Sequence, residues 1–91
     1  FHAILTGKVQ GVFFRATAQQ QASARGIQGF VRNLPDGSVE IEAQGPEHRL
    51  DDFLLWCRSG PPEARVDGVE LDWMDPSSSD SEKPVFLIQG E

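Results

Sequence analysis

Two short stretches of this sequence carry side chains that could do chemistry together. The first is Gly7-Lys8-Val9-Gln10-Gly11-Val12-Phe13-Phe14-Arg15. An apolar, β-favouring stretch precedes it and an Ala- and Gln-rich stretch follows, so it stands between a strand and a helix. The start of a helix exposes backbone N–H groups that have no intrahelical partner, at the positive end of the helix dipole. A glycine in the preceding turn brings the backbone close to a ligand and points several N–H groups at one anion. Arg15 falls in the first helical turn, where its fork of donors matches phosphate oxygens. The chemistry this suggests is capture of a phosphoryl group by Gln10, Gly11, Val12, Phe13, Phe14 and Arg15. It is not a Walker A loop, because the Gly-Lys-Ser/Thr ending is absent. The same spacing also suits a plain strand-to-helix turn whose Arg faces solvent.

The second candidate is Asn33, just before the turn Leu34-Pro35-Asp36-Gly37. Its amide offers an acceptor and two donors without charge. Such a group can hold a neutral water near a phosphoryl group, where a carboxylate would be repelled. A turn Asn can equally satisfy nearby backbone groups and nothing more. Other chemistry-bearing residues make weaker patterns. His2, His48 and Cys57 lack the spacing of a zinc site. Glu40 and Glu42 read as the wet side of a strand, Lys8 and Arg32 as solvated cations, and Phe13, Phe14, Phe30, Phe53, Trp56, Trp73 and Phe86 as packing groups.

The elements that must position Arg15 and Asn33 follow from periodicity. Phe1–Thr6 reads as a strand ending before Gly7. Phe14–Arg25 reads as a helix with Phe14, Ala18 and Ala22 on one face and Gly26 as its stop. Gln28–Asn33 and Ser38–Gln44 read as a hairpin around the Pro-Asp-Gly turn. Pro46–Arg58 reads as a second helix, with Pro46 at its first position and Leu50, Phe53, Leu54 and Cys57 as its apolar stripe. Val66–Trp73 and Val85–Ile88 read as strands, and Asp75–Lys83 as a Ser-rich loop. The order β-α-β-β-α-β plus a terminal strand predicts an α+β, ferredoxin-like split βαβ sandwich, an antiparallel sheet with two helices on one face.

The 91 residues make a single domain, 1–91, although Phe1 is an unusual first residue and reads as a trimmed terminus. No apolar run is long enough for a membrane span. The single cysteine excludes an internal disulfide and points to a reducing, cytoplasmic setting. A net charge of −6 argues against general nucleic-acid binding. The charge is uneven: residues 1–35 hold Lys8, Arg15, Arg25 and Arg32 and no acid, while all 14 acidic residues follow. A basic first third can hold an anion site in an acidic protein.

Both long motifs, the one ending in Arg15 and Gly29-Phe30-Val31-Arg32-Asn33-Leu34-Pro35-Asp36-Gly37-Ser38-Val39-Glu40, resemble the acylphosphatase family. Arg15 and Asn33 stand 18 residues apart, as in that family. Gly45-Pro46 and Gly60-Pro61-Pro62-Glu63-Ala64-Arg65-Val66 are also similar to family features, so the resemblance covers nearly the whole chain. It implies hydrolysis of small acyl phosphates to a carboxylate and inorganic phosphate, the latter competing at the loop as product. It implies that Arg15 and loop N–H groups bind the phosphoryl oxygens, that Asn33 positions water, and that no metal or organic cofactor is needed. A monomer is the expected state. Relatives often end on an Arg or Tyr, whereas here Phe86-Leu87-Ile88 continues to Gln89-Gly90-Glu91, which leaves open whether a chain-end group supports Arg15. The competing readings are an acylphosphatase-like domain of a hydrogenase-maturation carbamoyltransferase, a ferredoxin-like RNA-binding module, and an anion binder without turnover. The acidic charge and the outward Glu40 and Glu42 oppose the RNA module.

Overall fold

The computed structural model describes residues 1–73 and 85–89. The expected loop 75–83 therefore lies wholly outside the described residues, as do Gly90 and Glu91. The order is β1 (His2–Lys8), α1 (Phe14–Ala24), β2 (Gln28–Asn33), β3 (Val39–Gln44), α2 (Glu47–Ser59), β4 (Arg65–Asp72) and β5 (Phe86–Gln89). The sheet order is β4-β1-β3-β2-β5, and both helices pack on one face, in the ferredoxin-like arrangement.

One expectation needs correction. The sheet is mixed, not antiparallel throughout: β5 lies parallel to β2, with Gly29 opposite Phe86 and Arg32 opposite Gln89. The ladder begins where Gly29 N–H donates to Val85 O at 2.9 Å. Alternation within β5 does not disclose its partner or direction, which is why periodicity missed this. Two smaller differences concern Gly7 and Pro46. Gly7 does not end β1 but forms a bulge against β4, where its φ is 120° and a Cβ would stand 2.2 Å from Arg65 O. Pro46 is the extended N-cap of α2, and the helix proper starts at Glu47.

The core is the alternating inner face of the sheet against two apolar helix stripes. Ala3, Leu5, Val31, Val39, Ile41, Ala43 and Phe86 meet Phe14, Ala18 and Ala22 of α1 and Leu50, Phe53, Leu54 and Cys57 of α2. The alanines of α1 bring that helix near the strands. Phe53 sits among aromatic rings, 6.0 Å from Trp56, 5.7 Å from Phe86 and 6.3 Å from Phe1 between centroids. Trp56 in turn meets Phe14 at 5.4 Å. The second helix thus braces the first residue of α1. Burial raises the Cys57 thiol well above its ordinary pKa, as expected of a core cysteine.

On the open face, Glu40 accepts from His2 Nε2 at 2.7 Å and pairs with Arg32 Nε. These partners hold its carboxyl below the usual carboxylate range, the His2 bond contributing most. Glu40 and Arg32 are therefore joined to each other, not singly solvated.

At Gly29, β2 approaches its antiparallel neighbour β3 closely. The φ of Gly29 is 139°, and a Cβ there would stand 1.9 Å from Glu42 O. Gly29→Ala should lower folding stability by about 3 kcal/mol, combining backbone strain and overpacking, as measured by urea denaturation.

Candidate active site

The site forms at one end of the sheet because of strand direction. β1 and β2 each run antiparallel to β3, so they run parallel to each other and their C-terminal ends lie together. The loop that follows β1 and the hairpin turn that follows β2 therefore meet. β5, parallel to β2, brings its own C-terminal end to the same place.

The loop Val9–Phe13 is held by its apolar residues. Val9, Val12 and Phe14 are buried, while Gly11 and Phe13 are exposed and Gln10 and Arg15 half-buried. Pinning alternate residues inward leaves the backbone between them at the surface. None of the backbone N–H groups of Gln10 through Ala16 donates to another described residue. The first intrahelical bond of this end runs from Thr17 N–H to Phe13 O at 3.1 Å, and Phe13 provides no side-chain cap. Unpaired N–H groups at a helix start, together with the dipole, make a place for an anion. Gly11, with φ 75°, has nothing within 4 Å of where a Cβ would stand, so the space beside it is open. Phe13 has φ 62° and ψ 26° and is the one non-glycine among the described residues with positive φ. Such a conformation costs an L-residue roughly 1–2 kcal/mol.

The side chain of Gln10 is engaged within the protein. Its Nε2 donates to Leu34 O and to Ser38 O, both at 2.8 Å. Its side chain straps the loop to the mouth of the β2–β3 turn, which leaves its backbone N–H as the group available to a phosphate. The turn is firm in itself: Leu34 N–H donates to Ser38 O at 2.8 Å, and Asp36 Oδ1 accepts from Ser38 N–H at 2.9 Å and from the Ser38 hydroxyl. Those Ser38 bonds keep the Asp36 carboxyl below its ordinary pKa.

Asn33, the last residue of β2, adjoins this strap. It pairs with Val39, which pairs with Leu5, so the three share a face of the sheet. Leu5 and Val39 are fully buried under the helices, and Asn33 therefore points to the helix side at the end of the sheet. Its Oδ1 is buried and accepts no hydrogen bond from any described group. A buried acceptor left so costs about 1–3 kcal/mol unless a donor meets it.

Arg15 has no carboxylate partner among the described residues. Its one hydrogen bond to a described residue runs from Nη1 to the main-chain Gln89 O at 3.4 Å, and one turn later Gln19 Nε2 donates to Phe86 O at 3.0 Å. The support from the chain's last strand comes through main-chain carbonyls, independent of which side chain stands at position 89. The other cations of the basic first third are mostly engaged: Arg25 lies 3.6 Å from Asp52, and Arg32 pairs with Glu40. Arg15 keeps most of its donors for a ligand. Among the described residues, no three His, Cys, Asp or Glu side chains come together as a metal site requires, and no helix is long and apolar enough to cross a membrane.

Sequence reasoning missed two features of this site. The strap by Gln10 depends on a contact with residues 24 and 28 positions away. The one sequence signal was a lone amide side chain between two buried valines. Phe13 was expected to pack, yet it is 81% exposed. The Phe13-Phe14 pair was the signal there, since adjacent residues at a helix start cannot both face the core.

Comparison with known proteins agrees with this architecture. The family model described as Acylphosphatase matches residues 1–84. An acylphosphatase of Anaeromyxobacter dehalogenans (strain 2CP-C) is 49% identical over 74 residues, spanning 81% of this chain and 80% of that protein. The crystal structure of acylphosphatase from Bacillus subtilis superposes with a TM-score of 0.84 at 36% identity, covering 97% of this chain and 94% of that one. T. kodakarensis HypF superposes with a TM-score of 0.81 at 28% identity, over all of this chain but 12% of that one. With the family model matching residues 1–84 and a named relative 49% identical over 81% of the chain, the chain belongs to the acylphosphatase family.

Proposed function

We propose that this chain hydrolyses small acyl phosphates, with the phosphoryl group held by the loop 10–15 and water aimed by Asn33. The observation that carries this reading is the meeting, at one end of the sheet, of unpaired loop N–H groups beside Arg15 with the buried, unpartnered Oδ1 of Asn33. One set suits the equatorial oxygens of a phosphoryl group and the other suits the O–H of a water.

The chemistry asks little of side chains beyond placement. Phosphoryl transfer spreads negative charge over three equatorial oxygens, which N–H groups and a guanidinium stabilise. Arg15 and the backbone of Gln10, Gly11, Val12, Phe13 and Phe14 supply those donors. Asn33 Oδ1 accepts one water hydrogen, which turns the water's lone pair towards phosphorus. The new bond forms between the water oxygen and phosphorus, and the bond between phosphorus and the acyl oxygen breaks. The carboxylate leaves with that electron pair and is stable enough to need no acid. The water's proton passes to a phosphate oxygen. No step calls for a metal or an organic cofactor. Gln10 contributes by fixing the loop against the hairpin, and so the separation between Arg15 and Asn33.

The identity of 49% to a named acylphosphatase against 28% to HypF favours a hydrolase acting on free acyl phosphates over a carbamoyl-transfer domain. We read the protein as a monomer in a reducing, cytoplasmic setting, in keeping with its one cysteine, which is buried. Net charge −6 supports the view that nucleic acid is not a partner.

Benzoyl phosphate hydrolysis should persist in excess EDTA, and loss of activity with the chelator would overturn the metal-free mechanism. Arg15→Ala should lower kcat/KM by about a hundredfold or more and raise the inhibition constant of inorganic phosphate in step. Asn33→Ala should lower kcat by about a hundredfold while phosphate inhibition changes less than about threefold. A folded Asn33→Ala protein with full turnover would remove the water-positioning role. For Gln10→Ala, steady-state kinetics should show kcat down by at least about tenfold with phosphate inhibition weakened far less, the mark of a misplaced hairpin and not of a lost ligand.

A further inference from the structure

The phosphate chemistry uses the backbone of Phe13 but not its ring, which faces solvent. Its ring is 81% exposed, the most exposed of the large hydrophobic side chains, while its neighbours Val12 and Phe14 are buried at 3% and 2%. It occupies the N-cap of α1 with φ 62°, a conformation that glycine or asparagine would adopt with less strain. The fold gains nothing visible from a phenyl ring here: Phe13 makes no ring contact with another aromatic among the described residues, although Phe1, Phe14, Phe53, Trp56, Trp73 and Phe86 all do.

In-line displacement fixes where the rest of a substrate must go. The attacking water and the leaving oxygen stand on opposite sides of phosphorus. The water is assigned to Asn33 Oδ1, which is buried under the helices at the end of the sheet. The acyl group therefore leaves on the solvent side of the loop, and Phe13 is the large apolar group that the loop presents to solvent.

We propose that Phe13 is a specificity-determining residue whose exposed ring receives the acyl group, so that acyl phosphates with aromatic or bulky apolar acyl groups are preferred over acetyl phosphate. This rests on the acyl phosphate hydrolase reading above and names the substrate class within it. The ring offers an aromatic face for offset or edge contact, and an acyl group that covers it removes apolar surface from water on both sides. A methyl group covers little of that face, so acetyl phosphate benefits least.

The experiment compares kcat/KM for benzoyl phosphate and acetyl phosphate in the wild type, Phe13→Asn and Phe13→Gly. Both replacements suit the left-handed backbone at position 13, and the Asn variant keeps a Cβ. Circular dichroism verifies that each variant is folded. The readout is the benzoyl-to-acetyl ratio of kcat/KM, which cancels any common effect of the loop on phosphate binding. The proposal expects this ratio to fall about tenfold in both variants, and to stay high in Phe13→Leu or Phe13→Trp relative to Phe13→Gly. A ratio unchanged within twofold, with both substrates still hydrolysed, would overturn the acyl-binding role and leave the hydrolase reading standing. A wild type that hydrolyses neither substrate would overturn the hydrolase reading itself, and this inference with it.

Discussion

The structure depends on holding still a loop whose backbone N–H groups donate to no other described residue. Regular structure pairs main-chain N–H groups with main-chain carbonyls, and an anion site needs the opposite. The segment from Gln10 to Ala16 reconciles the two by anchoring through side chains. Val9, Val12 and Phe14 are buried, and Gln10 binds the hairpin turn by two hydrogen bonds at 2.8 Å. What the loop gives up in backbone pairing is recovered in core contacts and in one bridging amide.

The remaining elements serve that loop at graded distances. The bulge at Gly7 lets β1 continue to Lys8 beside β4 and brings the chain to the loop. Helix α2 braces Phe14 through Trp56, so the aromatic centre of the molecule reaches the first residue of α1. β5 borders α1 from the sheet edge, where carbonyls of Gln89 and Phe86 accept from Arg15 and Gln19. A main-chain acceptor tolerates change in the side chain at position 89.

Electrostatics is arranged with similar economy. The chain is acidic overall, yet its first 35 residues carry only positive charge. Folding then pairs Arg32 with Glu40 on the open face and sets Arg25 near Asp52, both away from the loop. Arg15 is left without a carboxylate among the described residues. This separation leaves the guanidinium of Arg15 uncompensated by a described carboxylate in a chain of net charge −6.

The sequence by itself determined the elements and pointed to the candidate site residues. The alternation Val39, Ile41, Ala43, the stripe Leu50, Phe53, Leu54, Cys57, and the Pro-Asp-Gly turn specify local geometry through contacts between near neighbours, and β-α-β-β-α-β leaves few compact topologies. Arg15 and Asn33 were legible because a Gly-bearing strand-to-helix loop and a pre-turn amide are local patterns, and the resemblance to a family joined them. Tertiary structure alone decided the rest. Whether β5 runs parallel to β2, where the amide of Gln10 ends, that the carbonyl of Gln89 meets Arg15, and which ring of the Phe13-Phe14 pair is left in solvent all depend on contacts between distant residues. Such contacts form only once the sheet order is set, and no period or spacing within a single segment encodes them.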